Sequence, residues 1–427
     1  MRVRPRFALS CAAALVVCGA ALSAAAPPVP VRITELNVQR DPNYRGGEPE
    51  IAVNPRNRNN MVMVWAAMKQ VKEPLSGQNY PGLLAEFGSP LTGMQTIQCQ
   101  MAYTFDGGRT WYPAPFPLRD KPACGDPMVV ADSRGTFQIS FDLMGTPLTP
   151  STVGTQPTDQ VASSSSTDGG RSWSQPLDVG TIVDRPFFRI DPATDELYEV
   201  SGALMTASTR KLTRSRDQGR TWSPATVFPS DHLAVNRGIL ATTVQTGNPS
   251  VLSFAVSHDD GATFTTSPVT GATAGGTGDW VAADPTRPGH FAVMQQVGNA
   301  LQVLRTGDGG VSWSTPLALS VPDSTVSLPW LDYGPDGDLA AVWKAGNAGA
   351  ATFLLHGALL PAGKDRFSAP LQISGAPSPT GNILTEGAGD DLSWVTVDRG
   401  VVLAGWGDRR SGILQAWFAR VPFQAFR

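Results

Sequence analysis

Tyr103-Thr104-Phe105-Asp106-Gly107-Gly108-Arg109-Thr110-Trp111 decides the fold, because the chain says it more than once. The phrase returns as Thr167-Asp168-Gly169-Gly170-Arg171-Ser172-Trp173 and as Arg216-Asp217-Gln218-Gly219-Arg220-Thr221-Trp222. It returns again from Asp259 to Phe264 and from Asp308 to Trp313. Subtracting the aspartate positions gives spacings of 62, 49, 42 and 49 residues, the period at which one small sheet per repeat builds a propeller blade. Within the phrase, Asp suits a tight turn because its carboxylate accepts from backbone N–H groups just ahead, and Gly takes positive φ without steric cost. The closing Trp or Phe is a large apolar anchor.

Composition agrees with many short strands joined by turns. Glycine (44) and proline (36) are abundant, and charged residues make up 16% against about 25% in an average chain. The net charge of -3 falls to about -6 without Arg2, Arg4 and Arg6, so no basic surface for nucleic acid is indicated. Those three arginines, the apolar run 8–22 and Ser23-Ala24-Ala25-Ala26 read as a cleaved export leader over residues 1–26. The apolar run is too short for a membrane span. Leu15-Val16-Val17-Cys18 departs from a lipoprotein box at Val17, so a secreted or periplasmic protein without a lipid anchor is expected. Cys11 and Cys18 leave with the leader; Cys99 and Cys124 remain as an even pair around the first repeat, and a disulfide is predicted between them.

The repeat resembles the Asp box, Ser/Thr-x-Asp-x-Gly-x-Thr/Ser-Trp, of sialidases and other propellers with bacterial neuraminidase (BNR) repeats. The resemblance implies an all-β propeller over residues 27–427 as a single domain. It also places Asp106, Asp168, Asp217, Asp259 and Asp308 in turns between third and fourth strands, away from the active site. Units open at Glu48-Pro49-Glu50, Gly125-Asp126-Pro127, Asp184-Arg185-Pro186, Gly278-Asp279-Trp280, Leu328-Pro329-Trp330 and Gly389-Asp390-Asp391, with a shortened fourth unit at 233–244. A worn box at Asp365 closes the sixth unit. The seventh has three strands, ending at Trp417-Phe418, and the isolated strand at 31–38 is expected to supply its fourth, closing the ring and hiding its edges. Seven blades are expected, with six as the alternative. The long connections 66–98 and 142–160 should rise around the funnel mouth.

Function should lie at the openings of the units. Glu48, Asp126, Asp184, Asp279 and Asp390 precede innermost strands, and a propeller gathers such positions into a ring of carboxylates. Arg185, Trp280, Trp330 and Trp406-Gly407-Asp408-Arg409-Arg410 should share that face. Acids, arginines and flat rings suit a sugar: acid–base work, a clamp on a carboxylate, and stacking. If the chain is an enzyme, the resemblance implies an exo-alpha-sialidase-like glycoside hydrolase. Asp126, Asp184, Asp279 or Asp408 would be its acid or base, and Arg185 or Arg409 its anion clamp; Glu48, Trp280, Trp330 and Asp390 would complete ligand binding.

Sialidases hold the sialic acid carboxylate with three arginines, for which Arg45, Arg185, Arg237 and Arg409 are the candidates. Tyr44, Tyr198 and Tyr333 are the best-placed tyrosines, and Phe188-Arg189-Ile190-Asp191 reads as part of an inner strand. Three other readings of the acid ring stay open: acids that only seal the ring, a calcium site lined by their oxygens, and a non-catalytic propeller offering its face to a protein or polysaccharide. His232, His258, His290 and His356 read as surface or turn residues.

Overall fold

Alternating apolar residues, broken every few positions by Gly, Asn or Asp, give strands and almost nothing else. The computed structural model describes residues 31–70, 94–118, 123–144, 160–180, 186–202, 210–347, 351–380 and 392–427. Residues 1–26, expected from sequence to be an export leader, lie outside these residues, as do Asp184, Arg185, Asp390 and the middles of the two long connections. Among the described residues the helical content is one 3-10 turn, Phe423–Phe426, and no helix is long and apolar enough to cross a membrane.

The strands form seven antiparallel sheets, one per blade. Blade 1 takes Tyr44–Val53, Met61–Gln70, Met94–Thr104 and Tyr112–Ala114 from the inside outward, and blade 2 takes Ala123–Ala131, Phe137–Met144, Gln160–Ser166 and Leu177–Gly180. Blade 3 runs Phe187–Ile190, Leu197–Ser201, Arg210–Ser215 and Thr226–Phe228; blade 4 runs Ala234–Asn236, Ile239–Thr246, Val251–Ser257 and Thr265–Pro268. Blade 5 has Thr277–Ala283, Phe291–Val297, Ala300–Thr306 and Leu317–Leu319, and blade 6 has Ser324–Tyr333, Leu339–Asn347, Thr352–Leu360 and Leu371–Gln372. The short fourth unit of the sequence is a complete blade with a three-residue inner strand.

Blade 7 is Ser393–Asp398, Val401–Asp408 and Gln415–Pro422, and its fourth strand is Thr34–Asn37 from the other end of the chain. That strand pairs in register from Thr34↔Arg420 to Asn37↔Trp417. The fold is therefore the expected seven-bladed ring, and Arg32–Arg427 is one compact unit. Arg410 holds the closing strand from the side: it bonds Glu35 at 2.7 Å and Asp408 at 2.6 Å, and its guanidinium lies 4.3 Å from the Trp417 ring.

Blades meet face to face through apolar side chains. One cluster joins blades 1 and 2 through Val62, Val64, Met101, Phe137, Ile139 and Phe141. A second joins blades 4 and 5 around Phe254 and Phe291, and a third joins blades 5 and 6 around Met294, Leu339 and Trp343. The disulfide Cys99–Cys124 crosses the first seam, from the third strand of blade 1 to the inner strand of blade 2.

The five repeated phrases are turns between third and fourth strands, each with its aspartate as hub. Asp308 Oδ1 accepts from Ser312 N–H at 2.9 Å and from Thr306 Oγ1 at 2.7 Å, and Asp106, Asp168, Asp217 and Asp259 bond in the same pattern. Hydrogen bonds from Thr221, Thr263 and Ser312 hold Asp217, Asp259 and Asp308 down at about 2. The second glycine of the phrase is also a contact point with the preceding blade. Gly310 has φ 94°, and a Cβ there would lie 2.6 Å from Phe254 of blade 4; Gly108 approaches Phe418 of blade 7 in the same way. Trp111 and Trp313 then pack edge-on against those same rings at 5.1 and 5.2 Å.

Candidate functional site

Antiparallel order puts the start of every inner strand and the end of every second strand on one face, the mouth. The four openings at Glu48, Asp126, Gly278 and Leu328 lie inside the inner strands, where sequence spacing places them just before. Each of these four is a bulge: Glu48 and Pro49 stand opposite Trp65 alone, and Asp126 and Pro127 opposite Phe141 alone. Gly278 and Asp279 face Gln295, and Leu328 and Pro329 face Trp343. The first bulge residue has positive φ in all four: 55° at Glu48, 46° at Asp126, 95° at Gly278 and 46° at Leu328. For a residue with a Cβ this conformation costs on the order of 1 kcal/mol, and the bulge re-aims the strand.

This corrects the expected equivalence. Glu48 and Asp126 share a position, but Asp279 falls one place later, where the other bulges have proline, because Gly278 takes the left-handed turn. The Asp279 side chain lies outside the described residues, like Asp184, Arg185 and Asp390. Trp280 is half-buried with its ring folded back over Gly278. Arg45 and Arg409 also stand at the mouth, beside Asp142 and Lys344 near the ends of second strands.

Two expected site residues are otherwise engaged. Asp408 is fully buried and accepts from Trp406 Nε1 at 2.8 Å and from Arg410 N–H, Nε and Nη2 at 2.9, 3.0 and 2.6 Å. Burial pushes its pKa up, but the bonds from Arg410 and Trp406 more than reverse this and hold it below the usual carboxylate range. A carboxylate so held is no proton donor at neutral pH, and its role is to orient Arg410 on the closing strand. Trp330 is 5% exposed. Its ring stacks on Trp394 at 4.6 Å and meets Phe187 at 5.9 Å and His232 at 5.5 Å, so no open face is left for a sugar.

Those rings belong to a centre that sequence spacing did not reveal. Phe187 and Arg189 come from blade 3, Trp330 and Asp332 from blade 6, Trp394 from blade 7 and Glu50 from blade 1. Side chains of blades 1, 3 and 6 touch only across the axis. Arg189 Nη1 bonds Glu50 Oε1 at 3.4 Å, and its guanidinium lies 4.2 Å from the Phe187 ring and 4.9 Å from the Trp394 ring. Val129 N–H donates to Glu50 Oε2 at 3.0 Å, and Tyr333 N–H to Asp332 Oδ1 at 2.8 Å. The axis is closed by an arginine wrapped in aromatic rings and flanked by two carboxyls.

Burial dominates the electrostatics there. It pushes Glu50 up to about 8 against the opposing pull of Arg189 and the Val129 bond, and Asp332 up to about 6 against Arg189 and Tyr333. Burial likewise lowers Arg189, while Glu50 and Asp332 raise it. At neutral pH the cluster is a protonated Glu50 beside an Arg189–Asp332 charge pair. His232 belongs to this aromatic floor and His356 is buried in the third strand of blade 6, which corrects their reading as surface or turn residues. The signal available in sequence was period-two alternation: Trp330 and Asp332, and Phe187 and Arg189, each share one face of an inner strand.

Among the described residues no three His, Cys, Asp or Glu side chains come together in a way that could hold a metal ion. The calcium reading therefore rests on the sequence expectation.

Architecture and site together define a closed seven-bladed β-propeller with a charged mouth and a plugged axis. Its fold is similar to that of a protein of unknown function from Dyadobacter fermentans DSM 18053, at TM-score 0.50 and 14% identity over 91% of this chain and 99% of that one. A NanB sialidase variant from Streptococcus pneumoniae matches at TM-score 0.47 and 13% identity, over 74% of this chain and 68% of that one. YCF48 bound to D1 peptide matches at 0.46 and 13%, over 91% and 96%. At 14% identity the first of these likenesses speaks for the fold alone. No family model and no curated protein matches the chain.

Proposed function

We propose that this chain is a binding propeller that takes a glycan, or a comparably polar ligand, on its mouth face outside the cytoplasm. The observation that carries this reading is the mixed set of charged side chains at the mouth. Glu48, Asp126, Arg45 and Arg409 stand half-buried at the mouth end of inner and second strands, with Asp142 and Lys344 buried at the same end. Mixed acids and bases with a half-buried Trp280 beside them suit hydroxyl-rich ligands, which need both donors and acceptors and offer a flat apolar face. The leader-like residues 1–26 and the Cys99–Cys124 bond support an exported protein.

The test is titration of the purified chain against a panel of sialylated and neutral glycans. Saturable binding that weakens tenfold or more in Trp280→Ala and Glu48→Gln, with Asp308→Asn unchanged, is expected. No binding to any glycan would overturn it and turn attention to a protein partner.

A second reading, hydrolysis, is favoured by Glu50 and Asp332, two carboxyls raised to about 8 and about 6. One would be protonated and the other largely ionised at neutral pH, the pairing an acid-assisted glycosidase uses; because Glu50 is 2% exposed, a sugar reaches it only when the rings around Arg189 part. Release of free sugar from the same panel, lost in Glu50→Gln with binding kept, would establish it. Dependence of that release on Arg185 would place the carboxylate clamp.

A further inference from the structure

The seam between blades 2 and 3 differs from the apolar seams described above. Odd-numbered residues of Phe137–Met144 pack into blade 1, so Gln138, Ser140 and Asp142 face blade 3. Gly219 of blade 3 confirms the side: a Cβ there would lie 3.5 Å from Gln138 Oε1, 3.5 Å from Ser163 Oγ and 3.7 Å from Leu197 Cδ1. Leu197 therefore faces blade 2, and by alternation so do Glu199 and Ser201, with Thr213 directly across from Glu199. Gln138, Ser140, Asp142, Ser163, Glu199, Ser201 and Thr213 are all buried. Apolar side chains are fewer here: Met128 at the inner edge, where its Sδ accepts from Phe188 N–H at 3.2 Å, and Leu197 and Val161 among the polar groups.

The polar groups of this seam satisfy one another only in part: at its outer-face end Ser133 of blade 2 donates through N–H and Oγ to Asp195 of blade 3 at 2.8 and 2.6 Å, but its interior is less complete. Thr213 Oγ1 donates to Glu199 Oε2 at 3.4 Å. Among the described residues, Gln138 Nε2, Ser140 Oγ and Glu199 Oε1 are buried without a hydrogen-bond partner. A donor amide, a hydroxyl and a carboxyl oxygen, all short of partners in one interface, form the mixed donor and acceptor lining that internal water satisfies. Opening an apolar seam exposes hydrocarbon to water; opening this one returns water to groups that lack partners.

We propose that the seam between blades 2 and 3 is a hydrated joint, filled by internal water at Gln138, Ser140 and Glu199, and opens more readily than the apolar seams of blades 4 and 5 and of blades 5 and 6. The disulfide holds the neighbouring seam of blades 1 and 2 shut. Parting there moves Asp126 and Asp142 of blade 2 away from Phe187 and Arg189 of blade 3, and so changes the width of the mouth. The proposal stands whether or not the mouth binds a glycan.

Thiol labelling of the folded full chain, read by mass spectrometry at the introduced site, tests it. Ser140→Cys is compared with Ala341→Cys, an equally buried position in the apolar seam of blades 5 and 6. Labelling at least tenfold faster at position 140 is expected. Thr213→Cys gives a second reporter on the facing blade and stands alone if Ser140→Cys fails to fold. Filling the slot with Gln138→Leu plus Ser140→Val should slow labelling of Thr213→Cys by tenfold or more. Equal rates in the two seams, or no effect of filling, would overturn the proposal.

Discussion

Glu50 offers a perturbation whose size can be worked from its surroundings. In the unfolded chain its carboxyl titrates near 4.5, and in the folded ring burial raises it to about 8. Between those values the folded state holds a proton that the unfolded state has released. Stability is therefore full below about pH 4.5 and falls as pH rises, until the folded carboxyl ionises near pH 8. At ~1.36 kcal/mol per pH unit, the loss across the window is on the order of 5 kcal/mol. Glu50→Gln keeps the size of the side chain and an acceptor for Val129 N–H, but cannot ionise. Urea unfolding should therefore find it within about 1 kcal/mol of the wild type at pH 5 and several kcal/mol more stable at pH 9. Glu199, raised to about 8 by burial against bonds from Ser201 and Thr213, titrates in the same window, so Glu199→Gln should remove a separate share of the alkaline loss. The reasoning fails if the difference between Glu50→Gln and wild type is the same at both pH values.

Other perturbations follow from single contacts. Arg189→Met should lower stability by ~3–5 kcal/mol in urea unfolding, because it leaves Asp332 without its buried counter-charge; a loss below about 1 kcal/mol would mean that the pair contributes little. Gly310→Ala should cost ~1–3 kcal/mol more than Gly298→Ala, since a Cβ at 310 meets Phe254 at 2.6 Å and one at 298 meets nothing within 4 Å; equal melting temperatures would refute the close approach. Replacing both Cys99 and Cys124 by Ala, which are 25 residues apart, should cost about 3 kcal/mol through the freed unfolded chain, as read by the shift in denaturation midpoint under non-reducing conditions. Glu35→Ala should loosen the closing strand, and limited proteolysis should then cut before Thr34–Asn37 at least several-fold faster.

The blades were legible because their signals are local. A repeated Asp-Gly turn and period-two alternation fix each sheet, and the incomplete last unit with a spare strand at 31–38 fixes the closure. The bulges were half legible: Glu48 and Asp126 were noticed as openings, but whether Gly278 or Asp279 takes the left-handed position depends on register across two strands. The axial cluster was missed because Glu50, Arg189 and Asp332 are distant in sequence and meet only through the curvature of seven sheets. The sequence shows Arg189 as an inner-strand residue, which it is, but nothing local tells that it lies between aromatic rings. Asp408 was read as a mouth acid because it stands at the end of a second strand; its engagement with Arg410, two residues on, reflects the way the chain turns back toward Glu35.

The exchange of one strand between the two ends of the chain governs the order in which the molecule can be finished. Six blades can assemble as their own sequence becomes available, but the seventh needs Gln415–Pro422 to reach back and find Thr34–Asn37. Loop closure over nearly the whole chain comes last and slowest, so the first strand must be kept from pairing elsewhere in the meantime. A circular permutant that joins the two ends and reopens the chain between blades would make every sheet local. Its faster refolding, at unchanged equilibrium stability of the ring, would measure what that wait costs.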